Sequence, residues 1–437
     1  MKEYKIAVIG GGPAGMMAAI RASQILGPKT VCILEKNDSL GKKLLLTGGG
    51  RCNITNNTPI HDQLNYYGKN KNFLKHSLYS LPQDKLLNIF EEKDLEFHTE
   101  DNKRVFPDSE DAHDILDILE EYLEELEVDT YIYTPVSEND IEHELNERME
   151  PVFEIENENI SLNASKIIVS TGGISYPSTG SSGDGYRIAA HMNHTITEIK
   201  PGLSSFNIDD FLLKTMQGVT LEDIEVFFKD KKKKVSVRGD VLISHFGLTG
   251  PAIIDLSNKL MEKSKFTILD DNLNIKDEID GELFTDTIFI DFTPGLSEED
   301  IKNQITDDSP NNGKLAIRNY MKRFLPNRFI DYFLMKIDIN PKKTMANITK
   351  KDKNKIGENL KRHPFEIESI EMESSKVTIG GVKSKEIDSK TLESRFVEGL
   401  YFAGEVLETA GPTGGYNLQI AFSTGYLAGE EAAKSLK

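Results

Sequence analysis

Ile6 to Ile9, Thr30 to Leu34 and Lys166 to Val169 are short apolar runs, each stopped by a glycine, a carboxylate or small polar residues. Continuous runs of this kind predict strands buried on both faces of a parallel sheet. The first is followed at once by an alanine-rich stretch, which predicts a strand that breaks at glycine and enters a helix. Ala112 to Leu126 repeats differently. Ile115, Leu116, Leu119, Tyr122, Leu123 and Leu126 share one helical face and acids take the other, with Asp108 or Ser109 as the expected cap. Leu81 to Phe97 also reads as helical. Tyr131 to Val136, Val152 to Ile155 and Ile160 to Leu162 predict the strands of a β-meander, with Glu142 to Glu150 as a polar connection. Tyr186 to Met192 predicts a helix.

From Ile196 the pattern changes. Thr220 to Phe228, Lys234 to Arg238, Asp240 to Ser244, Phe266 to Leu269 and Thr287 to Phe292 predict antiparallel strands. The basic run Lys231 to Lys234 falls at a hairpin tip. Ser297 to Arg362 predicts several short helices, with a capping box at Thr349 to Asp352. Val377 to Val382 and Gly399 to Glu405 then return to strand-to-glycine transitions, and a last helix runs from about Leu418 to Lys434. The expected fold is therefore α/β. A Rossmann-like nucleotide domain (1–197 and 376–437) holds an inserted β-rich domain (198–297 and 362–375), which carries a small helical insert (298–361).

Gly10, Gly12 and Gly15 stand in the G-x-G-x-x-G spacing, between an apolar strand and an alanine-rich helix. The first glycine allows the tight turn, the second lets a pyrophosphate approach and the third lets the helix pack on the sheet. Pro13 and Ala14 start the helix, whose free amides face the phosphates. Glu35 ends the second strand, about 20 residues beyond the last glycine, where the fingerprint places a ribose-binding carboxylate. Together these predict a dinucleotide site. Thr47 to Asn53 surrounds three consecutive glycines with Arg51, Cys52 and Asn53, which suits a ligand-contacting loop. Thr171, Gly172 and Gly173 end a strand that should lie beside the first one. Gly404 and Glu405 emerge at the carboxyl end of the last strand, and Gly415, Tyr416 and Asn417 open the last helix.

Composition narrows the class. A chain of 437 residues needs two or three domains. No apolar run approaches a membrane span. The first strand begins almost at Met1, and the two cysteines, Cys32 and Cys52, form neither a disulfide framework nor a redox pair. A cytoplasmic location is expected. The formal charge of −19 and the lack of a long basic or aromatic stripe weigh against nucleic acid and anionic membranes as partners.

Thr47 to Asn53 (TGGGRCN), Ser175 to Gly185 (SYPSTGSSGDG), Gly247 to Pro251 (GLTGP), Tyr401 to Val406 (YFAGEV) and Gly414 to Gln419 (GGYNLQ) carry a resemblance along nearly the whole chain. It is similar to a bacterial and archaeal flavoprotein family of NAD(P)/FAD-dependent oxidoreductases. Members are described as aminoacetone oxidase family or 3-dehydro-bile-acid reductase-like. The resemblance implies FAD, a two-dinucleotide-type fold, a barrel-like β domain and a helical insert. It implies that Gly10, Gly12, Gly15 and Glu35 hold the ADP half. Thr47, Gly50, Arg51, Cys52 and Asn53 would lie nearer the flavin. Pro13, Ala14, Lys36, Lys43, Thr171 to Gly173 and Gly404 complete the cofactor-binding candidates. Glu405 would face the ribityl hydroxyls, and Gly415 to Asn417 the pyrimidine end of the ring.

The expected activity is NAD(P)H-driven reduction of a carbon–carbon double bond in a small organic substrate such as an enone. An amine oxidase using oxygen, and a non-catalytic or RNA-associated flavin protein, are the alternatives. His245 and Cys52 are the weak acid–base or redox candidates, each also readable as a structural residue. No metal site is expected.

Overall fold

The computed structural model describes residues 1–145, 151–274, 276, 281–371 and 375–437. They form two compact units, residues 1–200, 267–280 and 376–437 in one, 201–266 and 281–375 in the other.

The first unit is built on a mixed sheet whose centre is parallel. β1 (Lys2–Ile9) is flanked by β2 (Val31–Leu34) and, on its other side, by a long strand ending at Val169. Ile6 pairs with Val31 and Lys166, Val8 with Ile33 and Ile168, so the apolar runs lie side by side as their pattern requires. α1 (Pro13–Leu26) crosses from β1 to β2, and α2 (Ala112–Glu125) packs against α1. β3 (Asp129–Tyr131) joins beside β2, in parallel, rather than entering a meander. The chain turns at Tyr133, which has a left-handed φ of 52°.

β4 (Ile141–Leu145), β5 (Pro151–Glu156) and β6 (Ser161–Val169) then form an antiparallel run. The polar connection expected over 142–150 is strand as far as Leu145; residues 146–150 lie outside the described residues. The two strands expected at Ile160 to Leu162 and Lys166 to Val169 are one. β6 pairs antiparallel with β5 through Ser161–Ala164 and parallel with the last strand, Leu400–Phe402, through Ile167–Val169. A single strand thus joins the hairpin to the nucleotide sheet.

The cap of α2 is Asp111, whose carboxylate accepts the amide of His113, not Asp108 or Ser109. The helix expected over 81–97 spans only Gln83–Glu91, because the chain reverses at Asp94 (φ 63°) and Phe97–Thr99 forms a strand. A helix at Lys71–Ser80 precedes it.

The C-terminal helix, Tyr416–Lys434, lies against α1. Gly425 and Gly429 make this possible: a Cβ on either would overlap the carbonyls of Ala14 and Ala18. Small residues four apart on both helices let the backbones approach closely.

The second unit is an antiparallel sheet with helices. β7 (Thr220–Asp230) and β8 (Lys233–Ile243) form a long hairpin whose tip carries Lys231, at φ 56°. β8 absorbs the two strands expected over 234–244 across Gly239. α4 (Pro251–Lys263) covers this hairpin, and β9 (Thr287–Asp291) extends the sheet on the β7 side. The helices that follow are α5 (Glu298–Asp308), α6 (Ile330–Lys336) and α7 (Lys350–Arg362) with short turns between them. The Thr349–Asp352 capping box forms as expected. α3 (Asp184–His191), in the first unit, lies in the helix position expected after Gly185.

Candidate functional site

The turn between β1 and α1 has the shape of a phosphate cradle. Gly10 sits at φ 105°, in the left-handed region that excludes most side chains. A Cβ on Gly15 would overlap the Gly10 carbonyl and crowd the Ser170 hydroxyl, so the third glycine sets the helix-to-sheet distance. Gly12 is the opposite case. Nothing lies within 4 Å of a Cβ built there, and its backbone (φ −80°) is open to any residue. The helix starts at Pro13 without a side-chain cap, leaving its first amides for a ligand.

Glu35 is buried at the end of β2. Its Oε2 accepts the Gly11 amide (2.7 Å), and its Oε1 accepts the Asn37 amide (2.8 Å) and side chain (2.7 Å). Three bonds fix the carboxylate beside the turn and leave it acceptor capacity for a hydroxyl. Asn37 also donates to the Thr179 carbonyl (3.0 Å), and Lys36 reaches Asp184 and Ser182 (2.5 Å each). The SYPSTG loop is thereby tied to the end of β2. An adenosine diphosphate group fits this stretch: open space over Gly12, an uncapped helix start and an oriented carboxylate.

Thr47 to Asn53 folds back on itself, with Gly48, Gly49 and Gly50 all left-handed (φ 60°, 73° and 94°). Three consecutive glycines are needed because three consecutive residues turn this way. The loop meets the start of the C-terminal helix. The Asn53 side chain, oriented to satisfy both ends, accepts from the Gly415 amide (3.0 Å) and donates to the Thr55 carbonyl (3.0 Å). Asn56 donates to the Gly414 carbonyl (2.9 Å), and a Cβ on Gly415 would overlap Thr55. Loops more than 350 residues apart in sequence are thus joined. Tyr416 is buried, stacks on the half-exposed Tyr66 (4.8 Å between centroids) and meets Tyr67 edge-on (6.1 Å).

At the carboxyl end of the Leu400–Phe402 strand, Glu405 is the centre of a polar cluster. Its Oε1 accepts from Ser175 (3.0 Å) and the Thr378 amide (2.7 Å), and its Oε2 accepts from Lys43 (2.5 Å). Lys43 also reaches Ser175 (2.5 Å). The Thr378 hydroxyl accepts the Ile174 amide (2.9 Å), and Gly173 has no room for a side chain beside it. Tyr186 stands next to this cluster, and burial and the Glu405 charge push its hydroxyl pKa up. The Thr171 hydroxyl is buried against Gly185 and finds no partner among the described residues. Gly172 turns the chain at φ 76°, and Gly404 packs on Ala14.

A family model, that of the HI0933-like protein Rossmann domain, matches residues 4–431. The chain belongs to the HI0933-like family. It is an FAD-dependent oxidoreductase. It is 27% identical over 437 residues to the 3-dehydro-bile acid delta(4,6)-reductase of Clostridium scindens, across 98% of this chain and 99% of that protein. It is 28% identical over 424 residues to the ribosomal RNA dihydrouridine synthase of Haemophilus influenzae, across 96% of each. The same enzyme of Escherichia coli is 26% identical over 441 residues, across 100% of each. No helix among the described residues is long and apolar enough to cross a membrane, and none of their side chains group as a metal site.

Several expected site residues of this HI0933-like chain are engaged by other protein groups. Arg51 pairs with Glu100 (3.1 Å) and Glu110 (2.7 Å) and lies over the Phe106 ring. Asn417 spends its amide on the backbone of Gly411 and Pro412, shaping the loop before the helix. Cys52 is fully buried, and burial pushes its thiol up to about 12, against a smaller opposing effect of the Thr47 hydroxyl. A protonated, enclosed thiol is a packing group. His245 is exposed in the second unit, edge-on to Phe246. Ser175, Thr378, Tyr66 and Tyr67 were not singled out from sequence. Ser175 and Thr378 each sit beside a glycine strand end, which is the signal that could have found them; the tyrosines stand in a polar stretch with no such mark.

Proposed function

We propose that this protein uses NAD(P)H to reduce a carbon–carbon double bond conjugated to a carbonyl, in a small organic substrate such as an enone. The observation that carries the reading is the junction of the Thr47–Asn53 loop with the start of the C-terminal helix. It creates a glycine-rich junction in the same unit as the phosphate cradle. In this reading Gly10 to Gly15 and Glu35 hold the ADP half of FAD, Glu405 and Lys43 the ribityl chain, and Asn53 and Gly415 the ring. FAD bound there supplies hydride chemistry. The uncapped start of the C-terminal helix favours negative charge, and the Asn53 bridge fixes its orientation. The Lys43 ammonium and the Ser175 hydroxyl hold the Glu405 carboxylate in place.

The names of the relatives support the substrate class. A delta(4,6)-reductase of a 3-dehydro compound and a dihydrouridine synthase both saturate a carbon–carbon bond in conjugation with a carbonyl. One hydride from NAD(P)H and one proton from solvent balance such a reduction. The test is anaerobic: dithionite-reduced protein is mixed with 2-cyclohexenone or with cyclohexanone. Reoxidation of the flavin by the enone alone is expected. Reoxidation by oxygen and by neither organic compound would overturn the reading.

The uracil ring is itself such a conjugated system, so uridine within RNA is the second reading. The two ribosomal RNA dihydrouridine synthases, each aligned with this chain over nearly its full length, favour it.

A further inference from the structure

The charge of −19 is unevenly distributed. Residues 309–363 hold fourteen Lys and Arg against four Asp and Glu, a net of +10, while the rest of the chain totals −29. The whole stretch lies in the second unit. Seven of its cations are held by carboxylates, among them Arg323 by Asp308, Lys336 by Asp210 and Lys361 by Asp291. Lys314, Lys342, Lys350 and Lys351 are exposed and form no ion pair among the described residues.

The backbone brings two of these lysines together. The Ile317 amide donates to the Lys343 carbonyl (2.8 Å), Arg318 to Pro341 (3.2 Å) and Met345 to Leu315 (2.9 Å). Segments 313–318 and 341–346 therefore run side by side, which brings Lys314 and Arg318 close to Lys342. Arg318, Asn319, Asn340 and Lys342 line a groove of about 450 Å³, together with Asp331, which holds Arg318 (2.9 Å). A few residues on, Lys350 and Lys351 occupy the first two positions of α7. Cations there oppose the helix dipole, so helix stability alone disfavours them. A polyanion on this face would reverse that sign.

We propose that this face docks the phosphodiester backbone of a structured RNA. Clustered, unpaired lysines are the electrostatic footprint of phosphate binding. Asn319, Asn327, Asn340, Asn347 and Asn354 are also exposed in this stretch and can donate to phosphates and ribose hydroxyls, with Asp331 and Asp338 as the exposed carboxylates among them. A membrane-binding face needs apolar residues to insert, and in this stretch Met335 is the one large hydrophobic side chain that is exposed. The choice of RNA over DNA rests on the uridine reading above.

The experiment is fluorescence anisotropy of the full-length, FAD-loaded protein. The probes are a labelled uridine-containing RNA stem–loop, the same sequence as DNA, and phosphatidylglycerol vesicles, across a salt titration. RNA is expected to bind best, with affinity falling as salt rises. The variant Lys314→Glu, Lys342→Glu, Lys350→Glu, Lys351→Glu should lose at least about tenfold in affinity and about one unit of salt slope per lysine. The corresponding arginine variant should keep both. Because these side chains are exposed and unpaired, FAD content and enone reduction should be unchanged and the thermal midpoint not lowered. Absence of RNA binding, equal binding of DNA, tighter binding of vesicles, or full RNA affinity in the glutamate variant would each overturn the proposal. Lysine-dependent binding without reduction of the uridine supports docking and removes the uridine reading alone. Reduction of RNA uridine that ignores the four lysines removes the docking face alone.

Discussion

Gly12 and Gly15 belong to one fingerprint yet carry different burdens. Gly12 has an unstrained backbone and open space where a side chain would go, whereas a side chain on Gly15 would overlap the Gly10 carbonyl. Gly12→Val is therefore expected to fold and to lose its flavin, because the valine fills the pyrophosphate space. Gly15→Val is expected to fail at folding, since helix and sheet must part. Circular dichroism and flavin absorbance on the two purified variants check this. A Gly12→Val protein with a full flavin spectrum would contradict the cradle. These glycines were legible in the sequence because turn, approach and packing act within six residues. The Lys43–Glu405 pair was not, although both residues were expected near the cofactor. Its partners are 362 positions apart, and no local pattern tells a lysine which carboxylate it will meet. Arg51 and Asn417 were also expected beside the cofactor, and no local pattern announced that Glu110 and the Gly411 backbone would bond to them.

Among the elements, the C-terminal helix depends most on small residues. Gly425→Leu would drive a side chain into the Ala14 carbonyl and push the C-terminal helix away from α1. Overpacking of this kind costs about 1–3 kcal/mol or more. Since the displaced helix opens at Gly415, the variant should lower the thermal midpoint and weaken FAD retention together, measured by calorimetry and by flavin release. The buried strands were legible from their apolar runs, and so was the amphipathic face of α2. Boundaries set by a single left-handed residue were not: Asp94 and Tyr133 end elements that periodicity would have continued.

A second element-scale prediction concerns His363, which follows α7 and packs among Phe292, Phe333 and Phe365. Burial, with Lys336 adding, lowers its pKa from 6.5 to about 4. The unfolded chain binds that proton near 6.5 and the folded one only near 4. Stability is thus intact above 6.5 and falls as the pH drops toward 4. Replacing the imidazole, as in His363→Phe, should flatten this part of the pH profile of the thermal midpoint. An equally steep profile in the variant would assign the loss to other groups.

For the molecule as a whole, the net charge of −19 argued against nucleic acid, but it sums a segment of +10 with a remainder of −29. Charge acts over a Debye length of about 10 Å, so a partner meets the local face, not the total. A windowed count would have exposed the segment; the side-by-side placement of its lysines needed the fold. The chain has one strong dinucleotide fingerprint, and this reading commits it to FAD. A pyridine nucleotide then lacks a βαβ site of its own and should bind loosely, with little distinction between its two forms. Anaerobic stopped-flow mixing of the yellow protein with NADH and with NADPH measures this directly. Bleaching of the flavin by both is expected, at rates that rise without early saturation. No bleaching by either, with bleaching by an amine instead, would contradict it and make the protein an oxidase.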